Sequence, residues 1–519
     1  MLLLPFTLAW GQPAFAAGYQ DLHDFDVYSG SSANFPWLMT ESRDNNLYGV
    51  TSTGGTHSKG TIFKIGPSGG FTVLHNFDGP HGATPVGGLT LGLDGNLYGM
   101  AELGGTNGAG NIFRISPAGA FTVMYDFKGA ADGEYPVSPL MLGADGNFYG
   151  TSYPGTAFRM SPAGVVSVIT TIPGTSYGPL VQAKDGSFYG VTQFGGTNSA
   201  GTVYRIAGTH STILHSFDMA SGSYPTGGLA AGSDGNFYGT TTAGGTANAG
   251  VIYRITPSGT YRVMVDWDNK NTIDGYQAYA GLIAGADGNL YGATIWGGLN
   301  GDGVIFSMTT DGAYTVLYNF DGPNGNGAYA TPMQHTNGAL YGITDRGGAA
   351  GYGVVYGFDA GLAPFLKLLT NAGKVGDTVG ALGKGFAQAI GVEFNGTPAS
   401  FHVISDTYLT AAVPSGETGF VTVEMTSGHL TSSTIFRVAP QLTGFSPLKG
   451  KVGDTITLDG AGLIQAERIT FGGTPVTTYT VNSDAKLTTK VPAGAKTGKI
   501  AITTPGGSVK SKTAFKVTQ

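Results

Sequence analysis

Gly174-Thr175-Ser176-Tyr177-Gly178 has the G-x-S-x-G spacing of a serine-hydrolase nucleophile elbow. That motif works only on a strand-to-helix turn, where the serine meets a base and an oxyanion hole. Here it falls between two repeated β units, so the spacing is read as an accident of a Gly-rich loop. Arg346, Asp345, His335 and Glu102 are the residues a polysaccharide lyase would draw on, because proton abstraction beside a uronate needs a Tyr or His base and a neutralising Arg. No sequence pattern ties the four together, and the lyase reading rests on what similar folds host. Asp321-Gly322-Pro323-Asn324-Gly325-Asn326 offers oxygens to calcium, yet lacks the spaced carboxylates and closing Glu of a calcium loop. His23, His75 and His215 occupy one repeat position at which other units carry Tyr125 and Tyr318, which marks them as repeat background, not metal ligands. The chain has no cysteine, so thiolate sites and disulfides are excluded, and no cofactor is expected.

The elements that must position these groups are set by repetition. The tyrosine of Asn46-Leu47-Tyr48-Gly49 returns at Tyr98, Tyr149, Tyr189, Tyr238, Tyr291 and Tyr341, at steps of 50, 51, 40, 49, 53 and 50. A second motif, Ile62-Phe63-Lys64-Ile65, places its aromatic again at Phe113, Phe158, Tyr204, Tyr253, Phe306 and Tyr356. A third, Phe71-Thr72-Val73-Leu74-His75-Asn76-Phe77-Asp78, recurs from Phe121, His210, Tyr261 and Tyr314, more weakly around Val165, and once near the start as Leu22-His23-Asp24-Phe25-Asp26. An apolar stretch such as Gly87-Gly88-Leu89-Thr90-Leu91 precedes each tyrosine motif, joined by Asp94-Gly95-Asn96, which reads as a two-residue hairpin turn. Each unit is therefore four antiparallel strands, one propeller blade.

The third motif is displaced. The seventh unit has no fourth strand after Tyr356, while the chain begins with a fourth strand, residues 20–27, that has no blade before it. The surplus strand supplies the missing one and closes the ring without an open sheet edge. The expectation is an all-β chain: a seven-bladed β-propeller over 18–361, then two immunoglobulin-like sandwiches at 362–438 and 439–519.

In such a blade the first-to-second and third-to-fourth turns lie on one face and are tight here. The other connections are long and varied, and they form the expected binding face. Its candidate ligand-binding residues are Glu102, Tyr135, Tyr177, Tyr224, Tyr276, Trp296, Tyr329, Asp345 and Arg346. Aromatic faces beside amides and carboxylates suit sugar rings; the plainer reading is that these side chains only pack the loops. The third-strand bases Lys64, Arg114, Arg159, Arg205 and Arg254 are expected to pair with the acids Asp26, Asp78, Asp218, Asp268 and Asp321 at fourth-strand ends, fixing register.

Charge and composition narrow the partners. Charged residues are 11% and glycines number 89, which favours short strands and tight turns over helices. A net charge of −7 without a basic run argues against nucleic acid. Residues 1–17, apolar and ending in Ala14-Phe15-Ala16, read as a signal peptide, and no later segment is long enough for a membrane span. The protein is thus expected to be extracellular or on the cell surface.

Units running G-x-D-G-N-x-Y-G, G-G-T, I-F-[KR]-I and F-T-V-L-x-x-F-D over residues 19–360 resemble the bacterial tandem repeats called Gloeobacter/Verrucomicrobia, or GloVer, repeats. The unit around Tyr149 departs from the pattern, being about ten residues short and without the Gly-Gly-Thr loop; no sorting tail is read after Lys516. From Ala363 the chain resembles two IPT/TIG domains. The second carries Phe445-Ser446-Pro447, Val452-Gly453-Asp454, Phe471-Gly472-Gly473 and Val491-Pro492-Ala493-Gly494; the first carries Val375-Gly376-Asp377, Val392-Glu393-Phe394-Asn395-Gly396 and Val413-Pro414-Ser415-Gly416. The resemblance implies exported proteins with no activity attached to the repeat, and modules used as spacers or for adhesion and glycan binding. The expected function is recognition of a polysaccharide or cell-surface protein, with a carbohydrate-active enzyme such as a lyase as the alternative.

Overall fold

The computed structural model describes residues 18–31, 38–129, 132–270 and 272–518. The leader expected at 1–17 lies outside them.

The described residues between Tyr19 and Phe358 build seven antiparallel sheets arranged as blades. Blade 2 shows the plan: Ala83–Leu91, Leu97–Leu103, Asn111–Ile115 and Phe121–Asp126, each paired with the next. In blade 7 the strands Met333–Gln334, Leu340–Ile343 and Val354–Phe358 are completed by Tyr19–Asp24 from the chain start, in the register Tyr19↔Phe358, Asp21↔Tyr356 and Asp24↔Val354. The chain is a seven-bladed β-propeller closed by backbone ladder bonds.

Aromatic rings set the blade spacing. In six of the seven blades, the exception being the third, which carries Ile172, the fourth-strand ring lies edge-on to the third-strand ring of the next: Phe77 to Phe113 at 5.3 Å, Phe127 to Phe158 at 5.4 Å, Phe217 to Tyr253 at 5.1 Å. The closing strand obeys the same rule, with Phe25 meeting Phe63 at 5.6 Å and Phe320 meeting Tyr356 at 5.4 Å. Such pairs contribute about 0.5–1.5 kcal/mol each beyond their buried area. The Gly of the Tyr-Gly motif makes room for these rings: a Cβ on Gly49 would sit 2.4 Å from Phe63 Cζ.

Two local expectations are corrected. Asp94-Gly95 does not form a two-residue turn. Gly92 N–H donates to Asn96 O at 2.8 Å and Gly95 N–H to Gly92 O at 3.0 Å, so three residues span the hairpin. Only the last needs left-handed backbone, Gly95 at φ 85° and Asn45 at φ 66° in blade 1. Asp94 is thereby free to accept from Asn96 N–H at 3.1 Å, Asn96 Nδ2 at 2.6 Å and Tyr98 Oη at 2.9 Å. The same clasp recurs at Asp44, Asp145, Asp234 and Asp287.

Among the described residues the expected pairing of third-strand bases with fourth-strand acids is not built either. Asp26, Asp78, Asp218 and Asp321 accept the backbone N–H of Ser29, His81, Ser221 and Asn324 at 2.6, 2.9, 2.7 and 3.0 Å, shaping their own loops. Arg205 instead reaches Asp185 at 2.7 Å. The reason is position: the bases lie opposite the clasp tyrosines, as Arg114 does opposite Tyr98, at the other end of the blade from those acids.

Two β-sandwiches follow with one strand order. Lys367–Leu368, Thr378–Leu382, Tyr408–Ala412 and Phe401–Ser405 form one sheet of the first, matched by Gln441–Ser446, Thr455–Ala461, Lys486–Lys490 and Tyr479–Ser483 in the second. Buried Val379, Phe394, Leu409, Val423 and Phe436 fill the first core; Ile456, Ile469, Phe471, Leu487 and Phe515 fill the second. Among the described residues no helix is long and apolar enough to cross a membrane.

The first sandwich docks on the tight-turn face of the propeller. The Arg43 guanidinium lies 4.3 Å over the Tyr408 ring, Thr407 Oγ1 donates to Arg43 O at 2.7 Å, and Leu91 packs with Leu369, Leu382 and Tyr408. The long-loop face points the other way.

Candidate functional site

The first strands converge on the propeller axis, and their entry residues ring its mouth on the long-loop face. At one repeat position, three residues before the buried leucine, stand Val86, Val137, Tyr177, Thr226 and Tyr279, with Tyr329 in blade 7. Immediately below, small residues let the backbones touch: a Cβ on Gly178 would lie 2.4 Å from Gly228 N, and one on Gly227 would lie 2.3 Å from Gly281 N. A cavity of about 250 Å³ deeper among the first strands, lined by Leu38, Pro179, Leu229, Leu282, Ile283 and Thr331, holds no titratable side chain.

A second set comes from the ends of the second strands, where Glu102, Gln193, Thr242, Ile295 and Asp345 share one repeat position. Burial pushes the Glu102 carboxyl up from the ordinary range. Burial also raises the Tyr177 hydroxyl, and the Glu102 charge adds to the effect. Tyr329 is raised by burial and then by Asp345, with Arg346 opposing. Arg346 Nε lies 3.3 Å from Asp345 Oδ2 and its guanidinium lies 5.7 Å from the Trp296 ring centroid.

Of the nine candidates, Tyr177 senses the charge of Glu102, and a second set, Trp296, Tyr329, Asp345 and Arg346, is joined around the Arg346 side chain and Asp345. Tyr276 joins the second through its backbone, its N–H donating to Trp296 O at 2.9 Å. Tyr135 and Tyr224 stand apart in the rim, at left-handed φ of 47° and 57°, with Tyr135 6.4 Å from Tyr153 and Tyr224 5.6 Å from Phe194. Sequence reading missed Tyr279, whose ring lies 5.0 Å from Tyr329 at 47°. Counting back from the buried leucine would have found it at the position of Tyr177.

Other sequence candidates fall away. His335 is fully buried on the opposite face, its Nε2 3.2 Å from Asn45 O and 3.4 Å from Glu41 Oε1, so it cannot reach a substrate beside Arg346. Ser176 is buried and donates to Gly178 O at 3.3 Å, without a base beside it. Asp321 is engaged by the N–H and Nδ2 of Asn324, each at 3.0 Å. Among the described residues no group of three or more His, Asp or Glu is placed to hold a metal.

The Gloeobacter/Verrucomicrobia repeat model matches residues 13–179 and 175–397, and the IPT/TIG domain model matches 440–517. Among solved structures the chain is similar to a surface glycan-binding protein of Prevotella bryantii, at 19% identity over 28% of this chain and 38% of that one, TM-score 0.23. A second such protein, from a xyloglucan utilisation locus of Bacteroides uniformis, is 24% identical over 28% and 46%, TM-score 0.16. The chain thus spans less than half the length of either. A gluconolactonase of Xanthomonas campestris is 11% identical over 64% and 96%, TM-score 0.36. No curated protein matches. With seven blades of one motif order and the repeat model spanning most of its length, the chain belongs to the Gloeobacter/Verrucomicrobia repeat family.

Proposed function

We propose that this is an exported recognition protein that binds a glycan at the mouth of the propeller on its long-loop face. The observation that carries the reading is the Tyr279–Tyr329 ring pair at 5.0 Å beside Asp345 on the long-loop face, while the opposite face is occupied by the first sandwich. Half-buried tyrosine rings offer flat apolar faces to sugar C–H bonds, and carboxylates accept from pairs of sugar hydroxyls. Beyond the mouth, exposed Leu103 and Phe194 extend the apolar rim. Export rests on the leader read at 1–17, and a cell-surface position would follow from it.

The lyase alternative gains nothing from the geometry. His335 is on the wrong face, Arg346 is held by Asp345, and the Tyr177 hydroxyl is pushed up, away from the range a catalytic base needs. The test is a glycan array with cell-wall and plant polysaccharides. Binding that is lost in Tyr279→Ala and Tyr329→Ala supports the reading; binding unchanged in both would sink it. Ultraviolet-absorbing unsaturated ends released from a uronate polymer would replace it with the lyase.

A further inference from the structure

The charge of the molecule is not evenly divided. Residues 440–517 hold ten Lys and Arg against four Asp and Glu, a net of +6, while the rest of the chain holds 16 against 29, a net of −13. All nine lysines of this second sandwich are exposed.

Strand alternation gathers most of them on one surface. In the sheet formed by Lys449–Gly450, Gly507–Val517, Gly498–Thr504 and Arg468–Phe471, the buried side chains Ile469, Phe471, Ile500, Ile502, Ser511 and Phe515 face the core. Exposed Arg468, Lys499, Lys510, Lys512 and Lys516 face outward, and Lys449 pairs in register with Lys516. None of these six is within ion-pair distance of an acid among the described residues; of the domain's lysines only Lys486, on the other sheet, has such a neighbour, Asp459 at 3.9 Å. Glu467 stands at the edge of the face, and Asp454 nearby accepts Lys451 N–H at 2.9 Å. Like charges opposite one another on paired strands repel.

The fold does not demand this charge. In the first sandwich the corresponding outward positions of Ala389–Phe394 and Val421–Met425 include Glu393 and Glu424 and no Lys or Arg. On these two strands one plan thus carries opposite charge in two successive modules, while Arg437 keeps the place of Lys516.

We propose that this lysine face of the second sandwich is a docking surface for an anionic polysaccharide, a sugar polymer bearing carboxylates or sulfates. An extended polyanion would neutralise the row of lysines and release its own counterions. Nucleic acid fits less well. The remaining outward residues, Thr470, Ala501, Thr503, Ser508 and Ala514, include no aromatic ring for bases to stack on. Five of the six basic residues, moreover, are lysines, point charges without the fork that reads base edges.

The test uses the full chain with dextran sulfate, polygalacturonate, neutral dextran and duplex DNA, measured by calorimetry. The expected result is binding to one or both acidic polymers and not to dextran, weakening roughly tenfold or more between 50 and 200 mM salt. The triple variant Lys499→Glu, Lys510→Glu, Lys512→Glu should lose at least tenfold in affinity, and the charge-neutral Lys→Gln triple, which leaves a surface free of new repulsion, should lose affinity in the same direction. Lys486→Gln with Lys490→Gln on the other sheet should change it less than twofold. Unaltered affinity in both triple variants would overturn the proposal, as would absence of binding at 50 mM salt. Tighter binding of duplex DNA than of either acidic polymer would overturn it in favour of nucleic acid.

Discussion

Tyr98 donates its hydroxyl to the Asp94 carboxylate at 2.9 Å, across the hairpin that joins the first two strands of blade 2. The motif that identifies the repeat is therefore a structural clasp: one carboxylate holds the turn and the buried tyrosine of the next strand together. Asp94→Ala should cost about 1 kcal/mol, since of the three hydrogen bonds it removes two come from exposed donors that water can satisfy. In blade 7 the place is taken by Asn337, whose Nδ2 donates to Tyr341 Oη at 2.9 Å, and Asn337→Ala should cost less than Asp94→Ala. Urea unfolding of the two variants checks the order.

The closing strand should govern the stability of the whole ring. Phe25 is 2% exposed and meets Phe63 and His23 edge-on. Phe25→Ala should cost about 3–5 kcal/mol, the usual range for a buried phenylalanine. A chain lacking residues 18–27 should expose the edge of Val354–Phe358 and self-associate. A peptide of those ten residues added in trans should restore the monomer in sedimentation; no effect of the peptide would count against edgewise closure.

Acid should loosen the blades through three histidines. His23, His75 and His215 stack on Phe71, Phe121 and Tyr261 of the next blade at 3.7, 3.8 and 3.9 Å, each with its Nε2 buried and unpartnered. Burial holds each imidazole below the ordinary histidine range, against the pull of nearby aspartates. The unfolded chain thus binds protons that the folded chain refuses, so stability is full above about pH 6.5 and falls as pH drops below it. His75→Phe keeps the stack and should flatten the fall in Tm between pH 7 and 5; an unchanged slope would contradict this.

Asp21 acts with the opposite sign. Burial and the neighbouring Asp24 push its carboxyl up to about 6, so the folded chain binds the extra proton and stability falls as pH rises through 4 to 6. Asp21→Asn should raise Tm at pH 8 and leave it unchanged at pH 3, as a thermal scan at both values would show.

The mouth and the rim should separate in binding. Tyr279→Ala and Tyr329→Ala should each weaken a bound glycan at least tenfold, about 1.4 kcal/mol or more. Tyr135→Ala, out in the rim, should change affinity less than twofold. Equal losses at all three would point to a broad surface in place of a mouth.

The blade count, the strand order and the surplus strand near Leu22 were all legible in the sequence, because a repeat samples the same physical problem seven times and each motif is a local solution to it. Local chemistry was read less well. Asp94-Gly95 looked like a two-residue turn because dipeptide preference does not reveal that Asp94 is needed, right-handed, to hold Tyr98. The acids after the fourth strand looked like partners for third-strand bases because linear spacing does not say at which end of a blade each lies. Only the tertiary structure put His335 on the far face and joined Tyr279 to Tyr329. Closing a ring brings together residues from blades 6 and 7 whose separation along the chain carries no trace of their distance in space.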